Sequence, residues 1–270
     1  MYSVVKKLIV LVFIILCLSI ISGCLIADQE ENMEFIHERM LPVQDFTSLD
    51  ISGNFDVFFT QSEERSVVLK ASEETHLDSV KYEYRDQKLV VYKENEDNNS
   101  DNSRIINVNS RNVTIYVNNE SVIIDAKTKL QLYISAPNIE RIDQAGSGKI
   151  VFDPFIDLLK LDFDIAGSGN IYLPDINVNQ LSFDIAGSTT VNVSGHADFL
   201  KIDSAGAGNI NAKDFIAQKV KIDAAGAVNV NVHAVEELNI DLAGAGRVNY
   251  WGNPRVNRSV AGIGRITKMD

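Results

Sequence analysis

Hydrophobic and polar residues alternate along most of this chain with a period of two. Leu159, Leu161, Phe163 and Ile165 share one parity, and Lys160, Asp162 and Asp164 hold the other. Leu181, Phe183 and Ile185 repeat the pattern, as do Leu238, Ile240 and Leu242. Strict alternation predicts strands with one buried face. The C-terminal half has no helix-period stretch of useful length.

The alternation is organised by a motif that returns seven times. It starts at Asp143-Gln144-Ala145-Gly146-Ser147-Gly148-Lys149-Ile150 and recurs around Gly167, Gly187, Gly206, Gly226, Gly244 and Gly262. Alanine precedes that glycine in every copy. Three before it stands aspartate in six copies: Asp143, Asp164, Asp184, Asp203, Asp223 and Asp241, with Ser259 in the seventh. Four after it the residue is always Ile or Val. Steps of 18 to 21 residues predict stacked units, because one short unit cannot bury its own apolar face. The expected fold is therefore all-β, a single parallel β-helix with ~20-residue coils, strands ~4.8 Å apart. Parity puts the glycines inside and the Ala and Ser outside. Asn192, Asn211, Asn231 and Asn249 line up as a prospective amide ladder.

Upstream, the alternation begins at 46–59, where Ile51-Ser52-Gly53 reads as a diverged first copy. Strands are predicted at 66–71, 80–84 and 89–92, with a turn at Asp86-Gln87. Residues 94–104, dense in Asn, Asp and Ser, read as a loop. Further strands follow at 113–117, 122–124 and 130–134, and Ala136-Pro137-Asn138 breaks the last. Pro154 and Pro174 fall between motifs, where a coil must turn. In the last copy Arg258 takes a core position, and Arg255, Arg258, Arg265 and Lys268 suit a cap that blunts a strand edge.

Residues 1–23 read as a removable leader: Lys6 and Lys7, an apolar run from 8 to 21, then small residues. The run is shorter than the ~20 residues of a membrane span. Ile21-Ser22-Gly23-Cys24 resembles a prokaryotic lipobox, which implies lipidation at Cys24. An uncleaved anchor is the alternative. Residues 24–44 then form a polar tether and 45–270 the domain. Both readings place the domain outside the cytoplasm on a membrane of the cell envelope.

Composition adds exclusions. With 25 Lys and Arg against 37 Asp and Glu, the formal net charge is −12. This balance argues against nucleic acid and against direct adhesion to anionic lipid. The two cysteines lie at 17 and 24, so no disulfide staples the domain. His37, His76, His196 and His233 show no zinc-ligand spacing. The glycine motifs lack the Lys-Ser/Thr of a phosphate loop.

The aspartate column is the one repeated ionisable feature. Charges ~4.8 Å apart repel by roughly 1 kcal/mol even in water. Three compensations are open: backbone N–H bonds within each glycine turn, splay into solvent, or calcium bound to the same carboxylates. Asp164, Asp184, Asp203, Asp223 and Asp241 are the candidate ligand-binding face. A polysaccharide-active β-helix enzyme would need one singled-out carboxylate pair, which uniform repeats do not offer. No catalytic residue or obligatory cofactor is expected. Tyr250-Trp251 suits end-cap packing better than a sugar platform.

The opening at 46–59, Ala136-Pro137-Asn138 ahead of the first Ala-Gly-Ser-Gly, and Gly169-Asn170-Ile171 and Gly208-Asn209-Ile210 together resemble a known family. It is the putative auto-transporter adhesin, head GIN domain, a domain of unknown function. The resemblance spans roughly 45–265. It implies a β-helix on secreted or lipid-anchored proteins and supplies no activity. The resulting expectation is a non-enzymatic, lipid-anchored binding or adhesion module. A surface glycan or another envelope protein is its expected partner, and a structural or signalling lipoprotein is the alternative.

Overall fold

The computed structural model describes residues 37–93 and 130–270, and the backbone of three strands between them. The leader, Cys24, the tether up to residue 36 and the predicted loop at 94–104 lie outside the described residues. The strands are β1 (His37–Met40), β2 (Ser48–Gln61), β3 (Ser66–Ala71), β4 (Val80–Arg85) and β5 (Lys88–Lys93). β6 (Ile105–Asn109), β7 (Asn112–Val117), β8 (Glu120–Asp125), β9 (Leu130–Ala136) and β10 (Arg141–Phe152) follow. β11 is one extended run, Ile156–Gly244, and β12 (Arg247–Trp251), β13 (Arg255–Gly262) and β14 (Arg265–Lys268) complete the chain. One short helix, α1 (Glu74–Asp78), interrupts them. The all-β expectation holds. The large sheet is open, with strands in the order β1-β3-β9-β2-β10-β11-β12-β14, and β6, β7 and β8 form a separate small sheet.

The motifs lie side by side in register. β10 runs parallel to β11 with Gly146 opposite Gly167 and Ile150 opposite Ile171. β11 runs parallel to β13 with Gly244 opposite Gly262, and to β12 with Val230 opposite Val248. Gly53 stands opposite Gly146, so Ile51-Ser52-Gly53 is aligned as a first copy. Ile150, Ile171, Val191, Ile210, Val230 and Val248 are all buried in one core. Phe59, Phe152, Phe163 and Phe183 extend it as a run of ring contacts, the last pair stacked at 5.3 Å. Each fully buried Phe is worth about 1.5–3 kcal/mol.

Between β2 and β9 the pairing departs from the parallel pattern. β3 pairs antiparallel with β1 and β9, and β4 with β5. The β4–β5 hairpin turns at Asp86 and Gln87, both at positive φ (49° and 59°). Two consecutive positive φ values define the primed turn whose twist matches a hairpin. This region therefore mixes antiparallel pairs, the β4–β5 hairpin among them, with the parallel pairing of β2 to β5 and β9.

One expected orientation is corrected. Leu159 does not join Leu161, Phe163 and Ile165; it is 77% exposed, and Leu158 is buried in its place. Two buried residues three apart mean that the alternation slips phase there, so the chain turns a corner. The same slip separates Val178 from Leu181, Ala197 from Leu200 and Ala217 from Val220. Where Pro154 and Pro174 stand, the next residues, Phe155 and Asp175, take positive φ, as Pro-led type II turns require. Phe155 N–H donates to Asp175 C=O at 3.0 Å, so the two turns are stacked.

Candidate functional site

The motif glycines do not lie inside as parity predicts: none is buried, Gly206, Gly226, Gly244 and Gly262 are exposed, and they set the shape of the outer surface. Gly206 has φ +134°, and a Cβ there would lie 2.3 Å from the carbonyl oxygen of Gly187. Such contacts recur from Gly146 against Gly53 to Gly262 against Gly244. No side chain fits between these backbones, so each strand bends at the same point as its neighbour. Ala205, Ala225 and Ala243 are exposed beside those bends.

Along the bends runs an open groove of about 400 Å³. Asp184, Asp203, Asp223 and Asp241 line it, together with Ala205, Ala225, Ala243, Ser259 and Ala261. Four of the five expected site aspartates are thus brought together. Asp164 is not among the lining residues; it pairs with Arg141 at 2.9 Å. Methyl groups and the edges of carboxylates make a surface of small side chains open to a long ligand.

The aspartates are compensated in a way the sequence reading missed. Three of the motif aspartates pair with a cation two residues earlier on the same face, Asp143 with Arg141, Asp203 with Lys201 and Asp223 with Lys221, and Lys160 pairs in the same way with Asp162, outside the motif column. Lys88 adds a 3.0 Å bond to Asp143 and approaches Asp50 at 3.7 Å. The signal was present, because a period of two puts residue i−2 beside residue i. The hydrogen bond to Asp203 raises the pKa of Lys201 above the usual lysine value, and the nearby charges of Asp203 and Asp184 add to it. The bond to Asp223 does the same for Lys221, which also feels Asp203 and Asp241. Arg141, bonded to Asp143 and Asp164, and Lys88, near Asp50 and Asp143, each bridge two neighbouring rungs. Asp203 Oδ2 takes the Lys201 bond, while its Oδ1 is buried without a hydrogen-bond partner among the described residues.

Among the described residues no three His, Cys, Asp or Glu side chains stand close enough to hold a metal ion. Of the expected asparagine ladder, Asn249 donates to Asn231 at 2.9 Å. Two further rungs arise outside that column, Asn229 to Asn209 at 3.1 Å and Asn257 to Asn239 at 2.8 Å. Tyr250 packs against the core, and Lys213 Nζ sits 5.3 Å above the Trp251 ring.

Comparison with solved structures agrees on the fold. A crystal structure of a putative adhesin from Bacteroides fragilis matches with a TM-score of 0.72 at 20% identity, covering 86% of this chain and 96% of that one. A putative lipid binding protein from Parabacteroides distasonis matches at 0.62 and 20% identity, over 87% and 96% of the two chains. A putative adhesin from Parabacteroides merdae matches at 0.53 and 18% identity, with the same coverage. No curated protein matches this sequence. The sequence profile of one family spans residues 45–254. This chain belongs to that family, the putative auto-transporter adhesin, head GIN domain.

Proposed function

We propose that this chain is a non-enzymatic binding module of the cell envelope, held to a membrane through lipid at Cys24. Its ligand lies along the aspartate groove. In this reading the successive motifs are coils of one parallel β-helix, which makes the groove continuous from rung to rung. In-register parallel pairing of glycine with glycine and isoleucine with isoleucine supports the winding. Family membership supports an adhesive role at the cell surface.

The observation that carries the proposal is the groove itself, lined by Asp184, Asp203, Asp223 and Asp241. Its exposed carboxylate edges accept hydrogen bonds, which favours a ligand rich in N–H or O–H donors. A glycan offers such donors along its length, so a surface glycan is the first candidate.

The test is glycan-array binding by the intact chain and by Ala225→Trp, which fills the groove without changing its charge. Binding by the intact chain, lost in Ala225→Trp while Tm is kept, is the expected result. Retained binding in the variant overturns the groove. Capture of one envelope protein with no glycan bound favours the protein-partner reading. Calcium is checked by melting with and without chelator; the lysine partners predict an unchanged Tm, and a large drop assigns the column to calcium.

A further inference from the structure

The last copy of the motif differs from the six before it in three ways at once. One residue after the glycine the earlier copies carry Ser147, Ser168, Ser188, Ala207, Ala227 and Ala245; the last carries Ile263. Four before the glycine, six large apolar residues give way to Arg258. Three before it, six aspartates give way to Ser259. The last copy has gained an outward aliphatic side chain, gained a cation and lost an acid.

These changes meet at one end of the sheet. Ile263 sits between two glycines in the turn joining β13 to β14 and is 89% exposed; Val260 and Met269 are also exposed. Arg265 stands opposite Arg247 in the register of β14 on β12. Among the described residues Arg247, Arg258 and Arg265 have no carboxylate within ion-pair distance, whereas Arg255 pairs with Glu237. Residues 245–270 hold five Arg and Lys against one acid, Asp270. A cap against strand addition explains Arg258 and the loss of aspartate. It does not explain a fully presented isoleucine, which is a liability on a surface that meets only water.

We propose that this basic, apolar end of the domain docks on an anionic lipid surface, with Ile263 entering the headgroup layer and Arg247, Arg258 and Arg265 facing lipid phosphates. An exposed aliphatic side chain between terminal strands that carry unpaired cations is the combination that interfacial binding uses. The acidic net charge of the whole chain does not oppose it, because charges farther than ~8 Å are screened at physiological salt. The surface adjoins the last rung of the aspartate groove at Ser259 and Ala261, but Ile263 and the three arginines do not line that groove, so the groove reading and this one fail independently.

The test uses the full chain with Cys17→Ser and Cys24→Ser, and a polarity-sensitive dye on Ala261→Cys. The same dye on Ala145→Cys, the equivalent position of the first copy, is the control. The probe is phosphatidylcholine vesicles with and without phosphatidylglycerol. The dye at 261 is expected to blue-shift only with phosphatidylglycerol, while the dye at 145 stays unchanged. Arg258→Gln with Arg265→Gln should raise the lipid concentration needed by about thirtyfold, at about 1 kcal/mol per cation. Raising the salt should have the same effect on the unsubstituted tip, so the test survives a variant that folds poorly. Equal responses at 261 and 145, or a response that ignores phosphatidylglycerol or salt, overturn the proposal. Arginine-dependent self-association without vesicles also overturns it and points to a second copy of the chain.

Discussion

At the residue scale the motif glycine carries the strictest demand. Its φ is positive, and a Cβ on Gly206 would lie 2.3 Å from the carbonyl oxygen of Gly187, the glycine one copy earlier. Gly206→Ala is therefore expected to cost about 3 kcal/mol or more, from backbone strain and from the clash with Gly187. For a domain this size that lowers Tm by roughly 10 °C. Thermal melts of Gly206→Ala against Ala207→Gly, an exposed neighbour, check it; equal melts would refute the close approach. The glycines themselves stood out in the sequence as a column. What they touch did not, because the partner is a backbone atom some twenty residues away. Leu159 was misread for a related reason: alternation gives parity only until the chain turns a corner, and nothing in Leu158-Leu159 marks which leucine turns in.

At the element scale three motif aspartates, Asp143, Asp203 and Asp223, pair with a cation two residues earlier, whereas Asp184 and Asp241 follow Ser182 and Asn239. The hydrogen bonds raise the pKa of Lys201, Lys221 and Lys88 above the usual lysine value. A raised lysine pKa means the folded state holds its proton more tightly than the unfolded chain. The stability from these pairs is thus intact below the usual lysine value of 10.5 and is lost as pH rises through the raised folded values. Tm should fall between neutral pH and pH values above the usual lysine pKa, and Lys201→Met with Lys221→Met should flatten that fall. An identical alkaline loss in the double variant would show that these pairs do not matter. The aspartates were visible in the sequence and their repulsion was computable, but their partners were overlooked because Arg141, Lys160, Lys201 and Lys221 do not recur in every copy. Most strands of the insertion were legible, including the Asp86-Gln87 turn, but the strand Ile105–Asn109 and the short helix Glu74–Asp78 were not expected. Its antiparallel pairing was not, since alternation records which face is buried and not which neighbour lies alongside.

At the scale of the whole molecule, repetition does the organising. Each copy buries its Ile or Val against the next, and the acidic outer face becomes a groove only because the copies align. The proposed ligand and the proposed winding both depend on that alignment. Its most direct measurement is the distance between spin labels at Asp164→Cys and Asp241→Cys in a background of Cys17→Ser and Cys24→Ser. Four steps of strand spacing predict a narrow distribution centred at about 19 Å. A broad distribution, or one centred well beyond that distance, would contradict the stacking and with it the groove.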